Sequence, residues 1–395
     1  MITVAEAKKI IEENVLPLPA ETIRIQDAAG MQLAADVFSA TDIPPFNQSS
    51  VDGYAFSHKG WEEHKYLKIK GEIPAGYNLP VDYSADTAVR IFTGAPVPAG
   101  ADTVVMQENT KVINNMLHVE EGLKLLTGSN TRLKGTDIKQ GELALEKDSL
   151  LSPAAIGFLA GVGIDKVTVY KKPFVTIIVT GDELQQPGEQ LSGGQVYESN
   201  SYMLLAALQQ LDIHAQRIIH CDDTLEQLTK ELNAVLPDSD IVLLTGGVSV
   251  GDYDFVPQAA EACGVHKLFH KIKQRPGKPL FFGKKRSKLV FGLPGNPSSV
   301  LTCFYEYVVP ALHLLNNIVK PLEVRKATLS KSFEKPAGLT HFVKAVYDGN
   351  SVITLGAQES YRLSSFAKAN CLLVIEEDKT VCKEGEVVEI HLLPF

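Results

Sequence analysis

The stretch Ile241–Asp254, IVLLTGGVSVGDYD, constrains this chain more than any other. Its first four residues form a continuous apolar run, the pattern of a strand covered on both faces in a parallel sheet. Thr245-Gly246-Gly247 follows, with Ser249 and Gly251 beyond it, so the chain turns tightly where such a strand gives way to a helix. Glycines there let backbone N–H groups approach an oxyanion, and open α/β sheets bind ligands at that edge. Asp252 and Asp254 add carboxylates beside the cradle, which suits a phosphate-bearing substrate with Mg²⁺ between them. The same aspartates also suit a plain cap for a helix over Phe255–Cys263, and a short glycine motif does not by itself separate the two readings.

The 395 residues are too many for one ordinary domain. With 45% hydrophobic and 22% charged residues the composition is globular, and the net charge of −9 argues against nucleic acid or an acidic membrane as partner. Any anionic ligand must then be held by local positive charge. Five cysteines (Cys221, Cys263, Cys303, Cys371, Cys382) are scattered without a CxxC pair, which predicts reduced thiols in a cytoplasmic protein and neither a disulfide framework nor a zinc site. Glu6 interrupts any signal peptide, and the apolar stretches read as too short to span a membrane.

In chain order, Thr3-Val-Ala-Glu6 is a capping box for a helix with Val4, Ala7, Ile11 and Val15 on one face. Asp52-Gly53 reads as a turn. From Ser57 to Lys147 short β segments alternate with Gly, Pro and Asn turns, predicting a small all-β domain (57–147) inserted into an N-terminal helical domain (1–56 and 148–172). Ser152-Pro153 opens a helix expected to pack with the N-terminal one. Residues 173–316 read βαβαβα, a doubly wound sheet, with Asp223-Thr-Leu-Glu226 as a second capping box. Residues 317–395 are strand-like throughout and predict a C-terminal β barrel. The fold class is therefore α/β and β multidomain.

Three motifs follow apolar strands of the 173–316 segment: Thr180-Gly181-Asp182-Glu183, Thr245-Gly246-Gly247 and Leu293-Pro294-Gly295-Asn296-Pro297-Ser298. All three should emerge at one carboxyl edge. Asn296-Pro297 is a good N-cap pair, leaving the N–H groups of Ser298 and Ser299 for an anion. Lys271, Lys273, Arg275 and Lys278 crowd one short run that is either a solvated turn or a phosphate cradle. The rigid Pro-Gly-Lys-Pro inside it favours the cradle.

Val51-Asp52-Gly53-Tyr54-Ala55, Thr93-Gly-Ala-Pro-Val-Pro-Ala-Gly-Ala-Asp102, Gly181-Asp-Glu-Leu184, Gly246-Gly-Val-Ser-Val-Gly251, Pro276-Gly-Lys-Pro279 and Gly292-Leu-Pro-Gly-Asn-Pro297 occur in this order. Over essentially the whole chain this resembles the molybdopterin molybdenumtransferase family, MoeA, to which the E domain of gephyrin is similar. The resemblance implies a homodimer whose molybdopterin-binding domain matches 173–316. It implies a reaction that inserts molybdate into adenylylated molybdopterin, with Mg²⁺ assistance and release of AMP.

Carried over by position, the family's acidic residues fall on Asp52, Asp137, Glu183, Asp222 or Asp223, and Asp254. Glu183 and Asp254 are then the expected metal ligands. The basic residues fall on Lys271, Arg275 and Lys278, with arginine at 275 where many members have lysine. Ser364-Ser365 match a family serine pair, while Glu359-Ser-Tyr-Arg362 departs from the commoner Gly-Ser-Gly. The related adenylyltransferase, a candidate partner, resembles 173–316 alone, so the flanking β segments favour the insertase reading over that enzyme or a molybdopterin-holding scaffold. The implied site is shared between protomers, Asp52 and Asp137 from one chain meeting Glu183, Asp254 and Lys271 of the other.

Overall fold

A computed structural model describes residues 1–76, 83–213, 215–248, 255–318 and 322–394. The chain forms two compact units, one of residues 22–169 and one of residues 1–21 with 170–395.

The larger unit is built on a six-stranded sheet. Its parallel part runs Ala215–Cys221, Val175–Thr180, Ile241–Thr245, Lys288–Leu293, and Phe281–Lys285 and His266–His270 extend it antiparallel. Every residue of Val175–Thr180 and Ile241–Thr245 is buried, because helices cover both faces. On one face Ile177, Leu243 and Phe291 meet Leu204 and Leu208 of the helix Asn200–Gln210 and Val300 of the helix beginning at Pro297. On the other, Ile178, Val242 and Leu244 meet Leu228, Leu232, Val256 and Ala259.

The capping box on the first helix, Val4–Asn14, is present as read. Its partner is not: Ala7 and Ile11 enter the core of the α/β unit, whereas Leu159 of the Ser152-capped helix packs with Leu33, Ile138 and Val169 in the smaller unit. An apolar stripe fixes that a helix is buried, not which surface buries it.

Helix Pro297–Leu315, at 19 residues, is long and apolar enough to cross a membrane, but 83% of it is buried inside the fold. The expectation that no stretch reaches that length is corrected, and the helix is a core element. Its middle, Phe304–Val308, is π-helical. That turn sets Glu306 at the meeting of three elements, fully buried, with Lys8 Nζ 2.7 Å from Oε2 and His391 Nδ1 2.7 Å from Oε1. Burial pushes its carboxyl up, but Lys8 and His391 outweigh burial and hold it below the usual range.

The C-terminal barrel is closed. Thr340–Tyr347 pairs with Ser351–Thr354 and Cys371–Ile375, Val324–Leu329 pairs with Ser351–Thr354 and Val387–Leu392, and Cys371–Ile375 pairs with Val387–Leu392. Five strands thus leave no open edge in the ring. Gln274–Arg275, far back in sequence, adds a short parallel strand to the start of Thr340–Tyr347.

In the smaller unit the sheet order is Thr103–Met106, Gly53–Phe56, Thr87–Ile91, Tyr66–Ile73, Met116–Val119, Thr110–Ile113. Asp52-Gly53 is therefore a strand entry and not a turn. Gly53 lies so close to the Val105 carbonyl that a Cβ has no room, which is why glycine stands there. Leu143–Leu145 does not join this sheet; it pairs with Val37–Phe38, and Thr131–Arg132 pairs with Gln48–Ser49.

Removing one member of a buried charge cluster leaves the others uncompensated. Glu306→Ala is expected to lower the unfolding free energy by ~3–5 kcal/mol, read from urea denaturation, and replacing Lys8, Glu306 and His391 together by apolar residues to recover much of that loss. A Glu306→Ala loss within ~1 kcal/mol, the scale of an exposed pair, would show that the cluster is not a stabilising hub.

Candidate functional site

The four parallel strands end together. Thr180 is opposite Cys221, Val179 opposite Thr245, and Thr245 opposite Leu293, so the motifs beyond them share the carboxyl edge. Thr180 is buried, and its hydroxyl lies 3.5 Å from the Thr245 carbonyl. Gly246 takes φ +94°, and a Cβ there would stand 2.5 Å from the Thr180 carbonyl, so only glycine lets the two strand ends approach. Gly295 sits beside Gly246, 4.0 Å from its Cα by the same measure, and its carbonyl accepts a 2.9 Å hydrogen bond from Asn200. Ser249 and Asp254 lie outside the described residues.

Carboxylates gather at the edge, though not quite as the sequence suggests. Asp182 and Glu183 are exposed, and Asp182 Oδ1 accepts the Asp223 N–H at 3.1 Å. Asp222 points to solvent; Asp223 is the one turned inward, toward Thr180 and Gly247. The helix Leu225–Val235 is accordingly capped by Thr224, whose hydroxyl accepts the Gln227 N–H at 3.3 Å, and not by Asp223. Burial, then Asp182, then Glu183, raise the Asp223 carboxyl. Its Oδ1 is buried and makes no well-formed hydrogen bond among the described residues, although the Thr180 hydroxyl nearby lowers the carboxyl in part. An orphaned oxygen with two further carboxylates nearby is the charge and donor type a hard divalent cation takes. Among the described residues no three metal-ligating side chains converge on one point.

The backbone of the basic run is anchored. Gln274 is fully buried; its Nε2 donates to the carbonyls of Pro276 (3.0 Å) and Gly277 (3.2 Å), and its Oε1 accepts from the Tyr307 hydroxyl. Lys271 is half-buried and tied by its backbone N–H to the Leu280 carbonyl at 3.1 Å. Arg275 and Lys278 stay exposed on this fixed loop. They open onto a cleft of about 400 Å³ that also takes in Pro294, Asn296, Ser360 and Tyr361.

One expectation fails here. The N–H of Ser298 donates to the Ser360 carbonyl at 3.1 Å and that of Ser299 to the Asn296 carbonyl at 2.9 Å, so neither is free for an anion. Ser298 is fully buried, because the barrel segment 357–362 covers the helix start. Asn296 stays exposed, its Nδ2 3.2 Å from the Ser360 hydroxyl.

That covering segment was not legible as a site. Lys344, 2% exposed, donates from Nζ to the carbonyls of Ala357 (2.9 Å), Arg362 (3.0 Å) and Glu359 (3.5 Å), and Gln358 clasps its backbone N–H and C=O. Burial lowers its ammonium pKa. Ser365, matched to the family serine pair, is buried with its hydroxyl on the Ala357 carbonyl at 2.7 Å, and Ser364 is exposed; Ser360 and Ser299 are the serines that line the cleft.

In the smaller unit, Asp52 is exposed but rigidly held. Its Oδ1 accepts both the N–H and the hydroxyl of Thr93 at 2.8 Å, and these bonds, the backbone one first, hold its carboxyl below the usual range. The Val-Asp-Gly and Thr-Gly-Ala-Pro motifs thus meet. Asp137 is exposed, its N–H on the Ile43 carbonyl at 2.9 Å. Near Asp52, Ser49 pairs with Thr131, and next to Asp137 a separate bridge joins Ile43 to Ile138.

Three family models cover the chain: "MoeA N-terminal region (domain I and II)" over residues 2–163, "Probable molybdopterin binding domain" over 176–314, and "MoeA C-terminal region (domain IV)" over 326–393. The molybdopterin molybdenumtransferase of Haemophilus influenzae is 33% identical, over all of this chain and 99% of that one. The chain belongs to the MoeA family. A Staphylococcus epidermidis molybdopterin molybdenumtransferase is 32% identical over 99% of this chain and 95% of its own. The crystal structure of a molybdopterin biosynthesis MoeA protein from Pyrococcus horikoshii, 28% identical, superposes with a TM-score of 0.86 over 100% of this chain and 99% of its own.

Beside Arg275, His341 is 7% exposed. Burial first, then Lys335 and Arg275, pull its imidazole down to about 4. The unfolded chain takes up a proton near the ordinary value of about 6.5, where the folded one does not. Stability is therefore complete above about pH 6.5 and falls as pH drops toward about 4. His341→Gln is expected to remove one proton's worth of slope from unfolding free energy over that interval, measured by denaturation at stepped pH. An unaltered slope would mean that the imidazole is already charged in the fold.

Proposed function

We propose that this protein is the molybdenum insertase of molybdenum cofactor biosynthesis, transferring molybdate to adenylylated molybdopterin and releasing AMP and molybdenum-molybdopterin. The observation that carries the reading is the acidic sheet edge next to a rigid cationic cleft, in a chain matched along its whole length by this family. Arg275 and Lys278 hold the phosphates of the substrate, with Lys271 on the same run, and the exposed amide of Asn296 and hydroxyl of Ser360 orient it.

Glu183 and Asp254, with Asp182 and Asp223 alongside, are the residues that would hold Mg²⁺. Bound there, the cation would offset phosphoryl charge and polarise the scissile bond. AMP release that is indifferent to Mg²⁺ would remove this assignment. The five free thiols accord with a cytoplasmic protein. The adenylyltransferase that makes the substrate is the partner this chemistry implies.

Arg275→Ala is expected to weaken adenylyl-molybdopterin binding by ~1.5–3 kcal/mol, the worth of a charge-assisted hydrogen bond. Calorimetric titration checks this, and wild-type affinity would exclude Arg275 from the cradle.

Asp52 and Asp137 belong to one compact unit and Glu183 to the other. We infer a homodimer in which the aspartates of one chain complete the site of the other. Mixing Asp52→Ala with Glu183→Ala protein and allowing subunits to exchange is then expected to restore about a quarter of wild-type AMP release, since each heterodimer keeps one intact cleft. A mixture that stays inactive after confirmed exchange places both halves in one chain.

A further inference from the structure

Arg90 lies in the strand Thr87–Ile91, cross-strand from Tyr54, two residues after Asp52. Its guanidinium carbon stands 5.0 Å from the Tyr54 ring centre and 5.3 Å from that of Phe92, so the charged plane is held between two aromatic faces. Nη2 donates to Gln107 Oε1. Gln107 is itself anchored, its N–H on the Asp52 carbonyl at 3.0 Å and its Nε2 on Glu108 Oε1 at 3.1 Å. Arg90, Gln107 and Asp52 therefore form one connected group, and Thr93, three residues after Arg90, fixes the Asp52 carboxylate.

Among the described residues this guanidinium has no anionic partner. Glu72 is in register with Arg90 on the neighbouring strand, yet no ion pair joins them, and Asp52 is near enough to feel its charge without touching it. Among the described residues Nε and Nη1 have no hydrogen-bond partner. A merely structural arginine at a half-exposed position normally spends its fork on a carboxylate or on carbonyls. Here the fork is immobilised and its donors are left over, which is the preorganised state of an anion-binding arginine.

We propose that Arg90 is a substrate-binding residue, anchoring a phosphate-type oxyanion of the substrate next to Asp52. The proposal rests on the reading above in which Asp52 reaches the reacting substrate, and it adds a cation to the half-site carried by residues 22–169. Asp52 then meets a ligand already tethered by its negative group, and Tyr54 and Phe92 prevent the guanidinium from collapsing onto Asp52 or Glu72.

The test combines kinetics with a direct signal from the side chain. Arg90→Gln is expected to raise the KM for adenylyl-molybdopterin about tenfold or more, acting on KM far more than on kcat. Arg90→Lys should recover part of the loss, because a point charge lacks the fork. Phe92→Leu, which keeps the charge and frees the plane, should fall between wild type and Arg90→Gln. In full-length protein carrying ¹⁵N at arginine Nε, the Arg90 resonance, assigned by its absence in Arg90→Gln, should move on adding AMP or inorganic phosphate. A KM within twofold of wild type together with an unmoved Arg90 signal overturns the proposal. Full activity in Asp52→Ala would instead sink the role given to Asp52, and the Arg90 resonance would still decide whether that guanidinium takes an anion.

Discussion

The buried side chain of Gln274 is the contact on which most of the site depends. One amide carries two carbonyls of the loop that presents Arg275 and Lys278, and its oxygen takes the hydroxyl of Tyr307 from the long helix. The backbone of the same residue begins the short strand on the barrel. A buried amide left half-satisfied is costly, so all of these bonds are made together or the loop rearranges. Gly277 completes the fit: it takes φ +85° and sits against the Cys303 sulfur with no space for a side chain. The π-helical turn has a part in this too, since Tyr307 and Glu306 are consecutive in it and serve the loop and the Lys8–His391 cluster respectively.

Several charged residues in the two units are held by something other than an opposite charge. Asp52 is fixed by Thr93, Arg90 by two rings and an amide, and Arg275 by the loop beneath it. Ion pairs would neutralise these groups before a ligand arrived. Hydrogen bonds to backbone and stacking on rings orient them while leaving their charge available. On the sheet edge, burial first and then the neighbouring charges of Asp182 and Glu183 raise the Asp223 carboxyl.

Much of the fold was legible because its causes are local. Apolar runs ending in glycine mark the parallel strands and their common edge, Thr3-Glu6 and Ser152-Pro153 mark two helix starts, and short alternating runs mark the barrel. What was not legible depends on distant partners. Nothing in Asp52-Gly53 says that Val105 will press against Gly53, and a turn is the usual outcome for that dipeptide. Nothing in Asn296-Pro297-Ser298 says that Ser360 will take the Ser298 amide. Asp222 and Asp223 are equivalent as text and differ only in which one turns under Thr180. The lysine at 344 reads as one of many surface cations until the barrel closes over it.

The strand borrowed by the barrel has an implication for how such proteins can be cut and recombined. Thr340 and His341 pair with Gln274 and Arg275, whose place in the chain is inside the α/β unit. Severing the chain between helix and barrel would strip that neighbour away and expose backbone groups at the mouth of an otherwise edgeless ring. The C-terminal segment is therefore a poor candidate for a portable module. The structural neighbourhood of the barrel is thus discontinuous in sequence, taking in residues 274–275.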